Sequence, residues 1–382
     1  MARVEEVFSL IRNGASIKQM DAAEGIPITR IETISDREVN RNRFGYADVF
    51  ELGKYADYVL QDKDILMSHI NSEKHLGKVA LYQQRPGEVI IHGMNLLVLR
   101  PKKEVLLPEY ALLFFNSFDF LDQIKAITKK SVNQASFSIS ALKQLEIKVP
   151  ALKTQEIVAK RIGKLERLIC LRKQQLEKLD ELVKARFVEM FSESLSNPEP
   201  LRLFLEDITY GFTNPMPDAQ EGPWKVTAKD VVNGRVNYET ARKTTSKAFN
   251  ELTDKSKPKI GDVLLTKDGT LGRCAVVDVD GICVNQSVAV LKCNEKILPK
   301  FLTLLLQMPE YQREMLKNAG GGTIKHIYIT KVVDMLIIVP TISQQLEFLS
   351  FVEQTEKTKV RIKKSLDELE ILKKALMQKY FG

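Results

Sequence analysis

Thr154 to Phe191 reads TQEIVAKRIGKLERLICLRKQQLEKLDELVKARFVEMF, with no proline, one glycine, and apolar residues at Val158, Ile162, Leu165, Ile169, Leu176, Leu179 and Val183. Spacings of three, four and seven put these residues on one stripe and predict a long amphipathic helix. At 1.5 Å per residue it would extend roughly 55 to 60 Å, more than a helix that only covers a core, so it reads as a spacer. The other end of the chain carries its copy. From Thr341 to Phe381, TISQQLEFLSFVEQTEKTKVRIKKSLDELEILKKALMQKYF places Phe348, Val352, Ile362, Leu366, Leu369, Leu376 and Tyr380 on the equivalent face. Two narrow stripes of this kind can cover each other as a coiled coil. The expected pairing and partner interface is Ile162, Leu165, Ile169, Leu176, Leu179 and Val183 with Ile362, Leu366, Leu369 and Leu376. Arg172, Thr355, Lys359 and Lys373 interrupt the seam, and these gaps are expected to leave room for partner helices.

The copying extends beyond the helices. An offset of about 190 relates Pro150 to Pro340, Gln155 to Gln345, Leu176 to Leu366 and Phe191 to Phe381. Upstream the offset drifts, as loop insertions require. Leu76-Gly77-Lys78-Val79-Ala80 answers Leu271-Gly272-Arg273-Cys274-Ala275 at about 195, and Gly25 to Arg30 with Val39 answers Gly222 to Thr227 with Val236 at about 197. The chain is a tandem duplication. The expected fold is α+β: a globular mixed domain at 1–153, a long helix at 154–197, a second globular domain at 198–342 and a second long helix at 343–382. Strands are expected at Asp64 to Ser68, Lys78 to Tyr82 and Glu88 to Leu99, then a helix from Pro108. The second half repeats this with Asp262 to Leu265, Leu271 to Asp278 and Ile282 to Lys292, and Pro299 suits a first helical position. Each globular part closes on a strand ending in proline, Leu145 to Pro150 and Met335 to Pro340, because proline cannot donate to a continuing ladder. Asn197-Pro198-Glu199-Pro200 is the linker-like stretch.

Hydrophobic content of 44% and charged content of 28% are ordinary for a globular protein. A net charge of +8 favours an anionic partner only mildly, since 49 acidic residues are interspersed with 57 basic ones. Cys170, Cys274, Cys283 and Cys293 form no C-x-x-C pair and read as thiols of a reducing cytosol. No apolar leader or membrane-length run is present, so a cytoplasmic location is expected.

Enzyme signatures fail one by one. No G-x-x-x-x-G-K-[ST] loop exists, so nucleotide-driven translocation is not expected of this chain. Asn214-Pro215-Met216-Pro217 lacks the aromatic residue that stacks on a flipped base, and reads as a proline turn. Glu146-Ile147-Lys148 has the E-x-K spacing of nuclease metal sites, but its repeat counterpart is Leu336-Ile337-Ile338, so the charges read as the exposed face of a duplicated strand. His69, His75, His92 and His326 show no ligand spacing. No catalytic, metal or cofactor site is expected.

Binding features carry more. The loop from Ser68 to Lys78, with Lys74, His75 and Lys78, and its counterpart from Thr266 to Arg273, with Lys267, Thr270 and Arg273, mix glycine, hydroxyl and basic residues suited to phosphate and base-edge contact. Arg37, Arg41 and Arg43 in the first half, and Lys229, Arg235, Arg242 and Lys243 in the second, form basic clusters in similar places. A second pair of loops coincides in the repeat: Lys129-Lys130-Ser131-Val132-Asn133-Gln134, and Gly320 to His326 with Lys325. All these are candidate DNA contacts. A solvated hairpin is the plainer reading of each taken singly.

Over its entire length the chain resembles the specificity subunit of Type I restriction-modification systems. The match rests on the Pro-x-x-x-x-Gln-Glu helix entry at Pro150 to Glu156, approached at Pro340 to Gln345 where Leu346 replaces the glutamate, the long helix, and the strand-loop-strand of Gly269-Thr270-Leu271-Gly272 with Val284-Asn285-Gln286-Ser287. The first domain departs from it, with His92-Gly93-Met94-Asn95 where Asn-Gln is expected. The resemblance implies that each domain reads one half of a bipartite double-stranded DNA sequence and that the two long helices form an antiparallel coiled coil that sets the spacing. It also implies two modification methyltransferase subunits using S-adenosylmethionine and a restriction translocase using ATP and Mg, with no cofactor in this chain. The competing readings are a coiled-coil scaffold without DNA function and a self-contained endonuclease.

Overall fold

The computed structural model describes residues 1–20, 24–132, 134–192, 197–317, 319–320 and 325–382. They gather into two compact units, Met1–Gln175 with Ile362–Gly382, and Leu176–Arg361. Both long helices form, over Leu152–Phe191 and Ile342–Phe381, and each unit holds part of each.

The units share one topology. In the first, an antiparallel sheet runs in the order Phe8–Asn13, Leu96–Pro101, Ile65–Ser68, Val79–Leu81; in the second, Leu205–Tyr210, Val288–Cys293, Val263–Thr266, Cys274–Val276. Side chains alternate across a strand, and here both faces are covered. Ile65, Met67, Leu97 and Leu99 join the core beneath the helix Pro108–Phe115, whereas Leu66, Ala80, Leu96 and Val98 join a second core on the opposite face. Val263, Leu265, Ala289 and Leu291 against Leu264, Ala275, Val288 and Val290 repeat the division. Two-sided burial is why these strands read as unbroken apolar runs.

The same apolar continuity hides two strand boundaries. Of Glu88 to Leu99, only the end forms a strand, Leu96–Pro101. The preceding stretch turns at Gly87 (φ 73°) and touches other segments singly at Ile91. Ile282 to Lys292 is two strands, Ile282–Val284 and Val288–Cys293, broken where the Val288 amide donates back to the Asn285 carbonyl at 3.0 Å. The first piece leaves to pair in parallel with Trp224 to Val226. The closing strands are also shorter than expected: Glu146–Ile147 and Leu336–Ile337 end before their prolines, pairing with Ala2–Arg3 and Glu199–Pro200.

The shared Pro-x-x-x-x-Gln spacing has a structural cause. Gln155 is fully buried; its Oε1 accepts from the Leu107 amide at 2.9 Å, and its Nε2 donates to the carbonyls of Val105 (2.8 Å) and Pro150 (2.7 Å). Gln345 does the same with Leu298 (2.8 Å), Lys296 (2.9 Å) and Pro340 (2.8 Å). Each glutamine pins the start of a long helix to the loop before the unit's proline-capped helix. Gln155→Leu keeps the volume but orphans one donor and two acceptors, so it should cost the first unit about 2–3 kcal/mol in a urea melt. A loss below about 0.5 kcal/mol would show that these groups find water instead.

Within each unit the helix halves run antiparallel. In the first, Arg161 Nη1 donates to the Tyr380 hydroxyl at 3.0 Å, Lys373 reaches Glu166 at 2.6 Å and Lys173 reaches Glu370 at 3.2 Å. In the second, Lys359 reaches Asp180 at 2.6 Å and Arg186 reaches Glu347 at 2.9 Å. Ile162 and Leu165 are buried, while Ile169, Leu176, Leu179, Val183, Ile362, Leu366, Leu369 and Leu376 are half-buried. Lys359 and Lys373, which interrupt the apolar seam, are the cations of two of these pairs. Their ammonium groups are satisfied across the pair, which lets them lie along it.

Candidate nucleic-acid interface

Each unit builds its glycine loop in the same way. Gly77 (φ 72°) donates to the Ser68 carbonyl at 2.8 Å while the Ser68 amide donates to Lys78 at 2.9 Å. Gly272 (φ 77°) donates to Thr266 at 2.9 Å while the Thr266 amide donates to Arg273 at 2.8 Å. The left-handed backbone favours glycine, and it makes Lys78 and Arg273 emerge at the same point of the two folds. The second pair of loops lies against the first. Lys129–Ser131 and Gln134–Ser136 form a hairpin that adds to Ile70–Asn71, with Lys130 on Glu73 at 2.8 Å. In the other unit Asp268 bridges to His326, with Asp268 Oδ1 and His326 Nδ1 2.5 Å apart. The Phe137 amide donates to His69 at 3.1 Å and the Ile327 amide to Lys267 at 2.8 Å, so the junction itself is duplicated.

The basic candidates divide by what already holds them. Arg41 grips Glu88 with two nitrogens (2.6 and 2.8 Å) and the Gln83 carbonyl with one of them (2.8 Å), and Tyr82 donates to the same carboxylate at 2.9 Å. The Arg41 hydrogen bonds hold Glu88 well below the usual carboxylate range, at about 2. Arg41 is thus a structural cation of the first unit. Arg43 pairs with Asp36 at 2.9 Å, Arg37 donates to Asn116 Oδ1, and Lys78 donates to the Ser35 carbonyl at 2.8 Å. Burial, then the cations of Lys78 and Lys74, lower the His75 imidazole. Lys74 and Lys129 are exposed. In the second unit Arg242 meets Asp218 at 2.7 Å, and Lys243 lies over the Trp224 ring at 4.7 Å. Lys267 bonds Asp268 at 2.8 Å and lies over Tyr210 at 5.7 Å, and Thr270 Oγ1 donates to the Ala228 carbonyl at 3.1 Å. Lys229, Arg235 and Lys325 are exposed, Arg235 on a hairpin turned by Asn233-Gly234, both at positive φ. Asn133 and residues 321–324 lie outside the described residues.

Sequence reading missed a cleft in each unit. One, of about 270 Å³, is lined by residues that include Gln19, Arg30, Glu32 and Met94; the other, of about 400 Å³, by residues that include Met216, Thr227, Lys229, Arg242 and Asn285. The proline turn at Asn214 to Pro217 forms part of the second wall. Three thiols are buried or nearly so, and burial pushes Cys283 up to about 11 and Cys274 and Cys293 up to about 12, which suits packing rather than nucleophilic attack.

The chain is thus a duplicated protein of two α+β units that share one sheet topology, each presenting paired loops and a charged cleft. The Type I restriction modification DNA specificity domain matches residues 1–181 and 209–371, and the chain belongs to that family. It is 40% identical over 192 residues to the putative type I restriction enzyme MjaX specificity subunit of Methanocaldococcus jannaschii, covering 50% of this chain and 45% of that protein. With the EcoKI specificity subunit of Escherichia coli it shares 27% over 164 residues, 42% of this chain and 34% of that one. The chain thus spans less than half the length of these curated relatives. The crystal structure of a Type I restriction-modification system S subunit from M. genitalium superposes with a TM-score of 0.59 at 14% identity, covering 100% of this chain and 95% of that one. No helix among the described residues is long and apolar enough to cross a membrane.

Proposed function

We propose that this chain addresses a Type I restriction-modification complex to double-stranded DNA, each unit reading one half of a bipartite sequence while the paired helices set the spacing and dock two modification methyltransferase subunits. The observation that carries it is the duplicated junction of glycine loop and second loop, held by matching main-chain hydrogen bonds but lined with different side chains. One scaffold with two chemistries is what two unlike half-sites need. Base edges confer the sequence information, and cations such as Lys74, Lys129 and Arg235 fix register on phosphates. Exposed Leu168, Leu171 and Ile371 in the first unit, and Leu182, Val188 and Val360 in the second, support docking on the helices. Methyl transfer from S-adenosylmethionine and ATP-driven, Mg-dependent translocation belong to the modification and restriction subunits, in the cytoplasm.

Mapping N6-methyladenine across the host genome with and without this gene tests the reading. Deletion should remove a bipartite motif, revealing both half-sites and the spacer together. An unchanged methylome, with no modification subunits retained on the tagged chain, would overturn it.

A further inference from the structure

The two clefts occupy equivalent places. Pro27 stands opposite Tyr46 in one ladder and Trp224 opposite Lys243 in the other; Ala15 bridges in parallel to Gly93, and Phe212 to Asn285. By this register Gln19 corresponds to Met216, Arg30 to Thr227, Glu32 to Lys229 and Gly45 to Arg242. Each cleft therefore receives one guanidinium, from opposite sides of the same ladder. In the first unit Arg30 supplies it, tied to Gln19 Oε1 at 2.5 Å, and a Cβ on Gly45 would lie 2.3 Å from Arg30 Nε, so glycine makes its room. In the second unit threonine stands at the position of Arg30 and Arg242 at the position of the glycine, tied to Asp218 Oδ2 at 2.7 Å. An arginine exchanged across the ladder keeps the charge in the cleft while changing the strand that bears it. Packing alone has no need of this. Guanidinium donors left free suit phosphate or a guanine edge.

The rim inverts in charge on an unchanged backbone. Glu32 and Lys229 both sit just inside a short helical turn closed in the same way, the Arg30 amide donating to Thr33 Oγ1 at 2.9 Å and the Thr227 amide to Asp230 Oδ2 at 2.9 Å. Both side chains are exposed and have no hydrogen-bond or ion-pair partner among the described residues. A carboxylate accepts from the amino group of cytosine or adenine; an ammonium donates to guanine N7 and O6. We infer that the clefts are the base-reading pockets of the two units, with Glu32 and Lys229 selecting base edges of opposite hydrogen-bond polarity; this rests on the DNA-recognition reading above.

The test uses the complex of this chain with its modification subunits and duplexes in which each base pair of each half-site is changed singly. Glu32→Lys should alter the preferred base at one or two positions of the first half-site by about 5- to 100-fold, leaving the second half-site and spacer as they were. Lys229→Glu should do the converse, and Gly45→Ala, by displacing Arg30, should weaken first-half-site binding alone. An identical base profile in both rim variants overturns the inference. So does a change uniform across all duplexes with an altered salt slope, the mark of phosphate contact. Wild-type complex that discriminates no bipartite sequence would instead remove the DNA-recognition reading, so the two failures are distinct.

Discussion

Phe381→Ala should lower the stability of the first unit by about 3–5 kcal/mol. Its ring is fully buried in a core otherwise built mainly from the first half of the chain, with centroids 5.2 Å from Tyr110 and 6.1 Å from Phe114. Emptying a site walled by two aromatic rings and the stem of a long helix leaves a cavity that rigid neighbours cannot close. Phe191 is the counterpart and acts on the other unit: it lies 5.6 Å from Phe301 and 5.5 Å from Phe348. The single tryptophan, Trp224, belongs to the second unit. A denaturant melt followed by Trp224 fluorescence should therefore hold its midpoint in Phe381→Ala and fall in Phe191→Ala, while exchange of the amides from Leu96 to Arg100 responds the opposite way. A Phe381→Ala loss under about 1 kcal/mol would mean that the helix end is not seated on the first core.

That division of labour shows what local pattern could and could not reveal. The helices and the repeat were legible because a stripe at three and four residues is a local signal, and because Gly77 with Gly272 and Gln155 with Gln345 stand at backbone positions few residue types satisfy. Which unit each helix end completes was not legible, since Phe191 and Phe381 have the same surroundings in sequence. The loops were found, but their junction depends on pairings such as Ala135 with Asn71. Arg41 and Arg30 look alike along the chain; only the fold brings Glu88 to the first and opens a cleft beside the second. The clefts escaped notice because their walls are scattered single residues, related by ladder register rather than by spacing. Even so, the alignment of Gly25 to Arg30 with Gly222 to Thr227 already contained the Arg30 to Thr227 exchange, and a search for the compensating Gly45 to Arg242 was possible from it.

Acid should destabilise the first unit well before it titrates ordinary carboxylates. His69 and His92 are both buried, and His69 Nδ1 and both ring nitrogens of His92 have no hydrogen-bond partner among the described residues. Burial, which disfavours the imidazolium, lowers His69 to about 4 and His92 to about 3. Folded values below the unfolded one mean that the unfolded chain binds more protons throughout the interval between them. Stability is therefore full above the unfolded value of about 6.5 and falls with pH, by about 1.4 kcal/mol per unit for each histidine, until the folded values are reached. Between pH 7.5 and 5 the pair should cost the first unit about 4 kcal/mol. Glu88, held at about 2 by Arg41, adds a loss of the same sign only below the ordinary carboxylate range. The second unit has His326 alone, which is half-buried and bonded to Asp268. Urea melts at pH 7.5, 6 and 5 should show a steep drop in protection of the amides from Leu96 to Arg100 with a smaller change at Trp224, and His92→Leu should remove about half of the slope. A first-unit midpoint that stays level from pH 7.5 to 5 would mean that both imidazoles are solvated or paired in the folded chain.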